Sequence, residues 1–89
     1  MARSFVKDPD AVLDYEWDWS AWLGTDTIST HTVTAAAGLT VDSSEATSTA
    51  VTAWLSGGTV GATYDVTCHV VTAAGREDDR TVTVTVQPR

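Results

Sequence analysis

The 89-residue sequence holds a single cysteine, Cys68. An intrachain disulfide is therefore impossible, and the usual staple of small secreted β-domains is missing, which fits synthesis at a reducing site. Long apolar runs are missing too: nothing approaches the roughly 20 residues of a membrane-spanning helix. The start Met1-Ala2-Arg3-Ser4-Phe5-Val6-Lys7 has no signal-peptide core, so the expectation is folding in the cytoplasm. Basic residues are few, with five Lys and Arg against 12 Asp and Glu, a net charge of −7. Residues 27–75 contain Asp42, Glu45 and Asp65 and no base at all. Nucleic-acid binding needs Lys or Arg to replace counterions on phosphate, so no nucleic-acid partner is expected, and an anionic membrane would repel the chain. Nor does any segment repeat apolar residues at helical spacing over even three turns.

What the sequence does contain is alternation. In Leu13-Asp14-Tyr15-Glu16-Trp17-Asp18-Trp19-Ser20, large apolar side chains alternate with acidic or polar ones. Only a β-strand turns every second residue to one face, so this is a strand with a wet side and an aromatic side. Carrying the parity through Ala21 and Leu23 predicts one strand from about Val12 to Leu23, with Trp17 and Trp19 inside and Trp22 outside. Gly24-Thr25-Asp26 then has the composition of a turn and predicts a hairpin to the run Thr27 to Ala36. Ile28 and Val33 have opposite parity in that run, which predicts a bulge between them.

Leu39 and Val41 begin a further run that Asp42-Ser43-Ser44-Glu45 interrupts, as a loop or an edge strand would. Ala50 to Leu55 places Val51, Ala53 and Leu55 on one face and Trp54 on the other. Thr63 to Thr72 alternates Tyr64, Val66, Cys68 and Val70 with Asp65, Thr67 and His69, the half-buried antiparallel pattern. After the turn Ala73-Ala74-Gly75-Arg76, Glu77-Asp78-Asp79 reads as a charged hairpin end, and Thr81 to Val86 alternates up to Pro88. Sixteen threonines favour strands, because β-branched side chains lose rotamer freedom on helices. Six or seven short strands with regular turn signals predict an all-β fold, an immunoglobulin-like antiparallel β-sandwich. Tyr64, opening a strand just after Gly61, has the place of a tyrosine-corner residue. The expected organisation is an N-terminal arm over residues 1–11, the sandwich over 12–87 and a tail at 88–89.

Residues that carry chemistry are sparse. Cys68 and His69 are neighbours on one strand and point to opposite faces, so they form no nucleophile and base pair. By parity Cys68 is a small core residue, and His31 and His69 are surface strand residues without the three or four ligands of a zinc site. Asp8, Asp10, Asp14, Glu16 and Asp18 lack the looped spacing of an EF-hand, and alternation already explains the last three as a wet strand face. No catalytic residue, cofactor or metal site is assigned. The two tryptophans on outward parity, Trp22 and Trp54, are the candidate interface residues, since exposed Trp gives a large contact area with a donor at its tip.

The segments Lys7-Asp8-Pro9-Asp10-Ala11-Val12-Leu13-Asp14-Tyr15, Asp18-Trp19-Ser20-Ala21-Trp22-Leu23, Trp54-Leu55-Ser56-Gly57-Gly58-Thr59 and Tyr64-Asp65-Val66-Thr67 resemble small virion proteins of tailed bacteriophages and prophages. Such proteins are of the phage fibre-tail adaptor or head-tail structural kind. The resemblance spans about Lys7 to Val86 and supplies no catalytic or ligand residue. It implies a non-enzymatic virion component of the tail or neck, made in the host cytoplasm. Its implied partners are other virion proteins of tail, fibre, neck or capsid, with many copies on a symmetric particle. The alternatives are a capsid decoration protein and a carbohydrate-binding module of a host-recognition device.

Overall fold

A computed structural model describes residues 3–8 and 10–88; Met1, Ala2 and Arg89 of the expected arm and tail, and Pro9, lie outside the described residues. Seven strands follow in order, β1 (Arg3–Lys7), β2 (Leu13–Asp18), β3 (Ile28–Ala35), β4 (Leu39–Ala46), β5 (Ala50–Gly57), β6 (Thr63–Thr72) and β7 (Glu77–Val86), with one helical turn, α1 (Ser20–Leu23), between β2 and β3. They form two sheets, β1-β7-β6-β3 and β2-β5-β4. Every pairing is antiparallel except β1 with β7, which is parallel. The all-β, immunoglobulin-like sandwich is thus the observed fold.

Period-two patterning decides which side chains fill the space between the sheets. Trp17 from β2, Val51, Ala53 and Leu55 from β5, Tyr64, Val66, Cys68 and Val70 from β6, and Val82, Val84 and Val86 from β7 make the core, with Trp19 and Leu23 closing one end. The expected bulge in β3 is present as a register shift between Ile28 and Thr30. The interruption at Asp42 is an edge strand, β4, whose register shifts between Val41 and Ser43. Tyr64 does act as a tyrosine corner, its hydroxyl accepting the Thr59 N–H at 2.9 Å. Two glycines make room at that corner. A Cβ on Gly38 would come within 2.9 Å of the Tyr64 ring, and one on Gly58 within 2.6 Å of Val86, and both have positive φ.

Three expectations are corrected. The first strand ends at Asp18 rather than running to Leu23, because Asp18 Oδ1 accepts the Ser20 N–H at 2.9 Å and starts a turn. Leu23 N–H then bonds to the Trp19 carbonyl at 2.9 Å, and Gly24 at φ +62° ends the turn. The predicted hairpin does not form either: β2 pairs with β5 and β3 with β6, so α1 carries the chain from one sheet to the other. Finally, within the segment expected as an arm, Arg3–Lys7 is a strand of the larger sheet. Lys7 is fully buried at its end, where the ammonium donates to the carbonyls of Asp8 and Gly57 at 2.8 Å each. A buried charge is tolerable when hydrogen bonds replace its water, and here they tie β1 to the end of β5 in the opposite sheet.

Candidate functional site

The crossover at α1 brings four side chains into one stack. Trp19, on the core side, meets the half-buried Trp22 edge-to-face with ring centroids 5.3 Å apart. The Arg80 guanidinium lies 4.2 Å from the centroid of the Trp19 ring and Arg76 lies 4.4 Å from that of Trp22, both within cation–π range. The same two arginines donate to backbone carbonyls of the short turn and of its entry. Arg76 donates to Trp22 and Leu23 at 3.3 and 3.0 Å, and Arg80 to Asp18 at 2.9 Å. Asp26 locks the arrangement by accepting from the N–H groups of Thr27 and Ala74 and from Arg76. A hydrogen bond from the Thr72 side chain, followed by these donors, holds its carboxyl down at about 2. This corner is therefore structural, and it engages two of the five basic residues. Sequence reading missed it because the arginines come from the β6–β7 hairpin, more than fifty residues along the chain.

On the outer side of the smaller sheet, Asp14, Glu16 and Asp18 stand exposed in a row along β2. Their neighbours across the ladder are Trp54, Thr52 and Ala50, none of which carries charge. Trp54 is half-buried on this face, level with Asp14 on one side and Ser43 on the other. Trp22 lies past Asp18, roughly 13 Å of strand beyond that level. The two candidate interface rings therefore stand at separate levels, Trp54 on the sheet face and Trp22 under Arg76 at the corner.

Beside the acidic row the sandwich opens into a groove of about 570 Å³. Its walls are Tyr15, Glu16, Trp17 and Asp18 of β2, and Arg80, Thr81 and Val82 of β7. Tyr15 and Trp17 pack edge-to-face at 4.8 Å along the β2 wall. Trp17 is only 3% exposed, and its buried indole N–H has no acceptor among the described residues.

The remaining chemistry-bearing residues are spoken for. Cys68 is buried, and burial pushes its thiol up to about 11, so the thiolate is scarce at neutral pH. The Trp19 indole N–H restrains that rise slightly but does not reach hydrogen-bond geometry with the sulfur. On the outer face of the larger sheet, His69 Nδ1 bonds to Asp79 at 2.5 Å and Nε2 to Glu77 at 3.1 Å, and the Asp79 bond chiefly raises the imidazole pKa. His31 Nε2 reaches Ser44 of β4 at 3.1 Å. Among the described residues no group of three or more His, Cys, Asp or Glu is placed to hold a metal ion.

Against this geometry, residues 7–85 match the family described as podophage GP4 fiber-tail adaptor protein gp77. No curated protein matches the chain.

Proposed function

Because the chain belongs to the podophage GP4 fiber-tail adaptor family, we propose that it is a non-enzymatic adaptor of the virion tail, joining tail and fibre proteins through protein–protein contacts. The family match over residues 7–85 is the observation that carries this reading. The structure is compatible with it in two ways. Its ionisable pairs, Asp26 with Arg76 and His69 with Asp79, hold strands and turns together. Its unbalanced surface, the acidic row with Trp54 and the adjoining groove, offers area and charge to a neighbour. Trp54 is proposed as a contact on the sheet face and Trp22 as a second contact at the corner. Repetition on a symmetric particle would let weak contacts hold through multivalency.

The test is to locate the chain in purified particles and to remove it. The expected result is density at the junction of tail and fibres, with particles that keep tails but lose fibres when the chain is deleted. Particles that contain no copy of the chain overturn the proposal. A glycan array should stay silent, and binding lost on Trp54→Ala with fibre attachment intact would turn the reading towards sugar recognition.

A further inference from the structure

We propose that the open side of β2 is a strand-addition site for an extended segment of a neighbouring protein in which apolar residues alternate with Lys or Arg. The adaptor reading supplies the neighbour; the site itself follows from the ladder. One residue past the end of β2, Trp19 N–H donates to the Thr49 carbonyl at 2.9 Å. Antiparallel ladders alternate hydrogen-bonded and non-bonded pairs. With Asp18 opposite Ala50, the residues that bond towards β5 are therefore Trp17, Tyr15 and Leu13. Asp14, Glu16 and Asp18 turn their N–H and C=O groups to the opposite side. Arg80 bears this out, since it reaches the Asp18 carbonyl from the β7 side. Among the described residues no strand pairs with β2 there, because β2 is the end strand of its sheet.

A strand laid along that side would divide its side chains between two surroundings. One set enters the groove, against Tyr15, Trp17 and Val82, whose largely apolar walls suit apolar side chains. The other set lies beside Asp14 and Glu16, where opposite charge is favourable and like charge is not; Asp18 already has Arg80 at its carbonyl and near its carboxylate. This is why the occupant is basic at alternate positions. It is also why a second copy of this chain is the wrong occupant, since two β2 edges would set acidic row against acidic row. Recognition of this kind takes affinity from backbone hydrogen bonds and specificity from alternate side chains.

Glu16→Pro tests the backbone directly. Proline removes the outward N–H while leaving the bonds of Tyr15 and Trp17 to β5, and edge strands accept it in that orientation. Glu16→Ala is the reference, since it removes the same charge and keeps the N–H. Glu16→Pro should lower the number of copies per purified particle by about tenfold relative to Glu16→Ala, with similar melting temperatures. Equal incorporation of two folded variants overturns the proposal. A second measurement uses the unsubstituted chain and a synthetic nonapeptide alternating Val with Lys and Arg. The peptide should slow hydrogen exchange at the Asp14 and Glu16 amides, and one alternating Val with Glu should not. Protection absent at those two amides overturns the site even if particles contain the chain, whereas particles without the chain overturn the adaptor reading and leave the peptide result to decide the edge.

Discussion

The outer face of the larger sheet and the β2 edge of the smaller one are built from similar strands and treat their polar residues in opposite ways, although Ser56 does donate to Asp42 across β5 and β4. On the larger sheet, polar residues of β6 and β7 meet across the ladder. Thr67 faces Thr81 at 2.9 Å, Thr83 donates to Asp65 at 3.3 Å, and His69 sits between Asp79 and Glu77. On the smaller sheet, the acids of β2 face Trp54, Thr52 and Ala50 and find no charge of opposite sign across the ladder. Cross-strand pairs of the first kind are worth about 0.2–1 kcal/mol each, so the first face contributes to its own stability. On the second face Asp18 is held by the Ser20 N–H and feels the nearby Arg80, while Asp14 and Glu16 face no opposite charge across the ladder and leave negative charge open to a neighbour.

The largest effect should come from beneath both faces. Trp19→Ala or Trp17→Ala removes a core indole and should lower stability by about 3–5 kcal/mol, a large share of what a domain of this size possesses. Denaturant titration checks this, and a loss under about 1 kcal/mol would mean that the faces do not rest on the aromatic strand. Next comes Asp26→Asn at the corner. The native carboxyl titrates at about 2, below its unfolded value near 4, so its contribution is present above pH 4 and fades as pH falls towards 2. Melting temperatures of the two proteins should therefore differ at pH 6 and converge near pH 2; a gap that stays constant would assign the effect to shape rather than charge.

His69→Gln should have a smaller effect of opposite pH sense. Asp79 raises the imidazole pKa, so the stabilisation is complete below the unfolded value near 6.5 and is lost as pH rises through the folded one. The native chain should lead the variant at pH 5.5 and lose that lead at alkaline pH, whereas a lead that grows with pH would sink the pairing argument. The smallest change should follow Asp14→Asn with Glu16→Gln, within about 0.5 kcal/mol in the isolated chain. A destabilisation above about 1 kcal/mol would show that the acidic row has work to do inside the molecule, and the contrast between the faces would collapse.

Much of this arrangement is legible in the sequence, and the rest is not for definable reasons. Parity alone places Val51, Ala53 and Leu55, the inner face from Tyr64 to Val70, and the break between Ile28 and Val33. It fails at Trp22, because four residues of helix are too few to show a period and Ala21 and Leu23 continue the strand pattern by coincidence. Parity also says which face a residue takes and never which strand lies beside it, so the crossing at α1 and the parallel pairing of Arg3–Lys7 are invisible to it. Of the candidate contacts, Trp54 is readable as outward. The groove between β2 and β7 depends on which strands of the two sheets lie opposite one another, a property of the assembled fold.

The parallel pairing of the first and last strands has one further consequence, and it is mechanical. Tension drawn from Arg3 and from Val86 pulls β1 and β7 along their lengths in opposite directions. Their five paired positions, Arg3 with Val82 through Lys7 with Val86, are then loaded together in shear. The bonds must fail nearly at once, where a ladder peeled from one end would yield one bond at a time. Lys7, anchored to the Gly57 carbonyl, stands at the end of that ladder and carries part of the load into the other sheet. Under such a pull the whole ladder shares the load, so the geometry is one that resists extension along the strands.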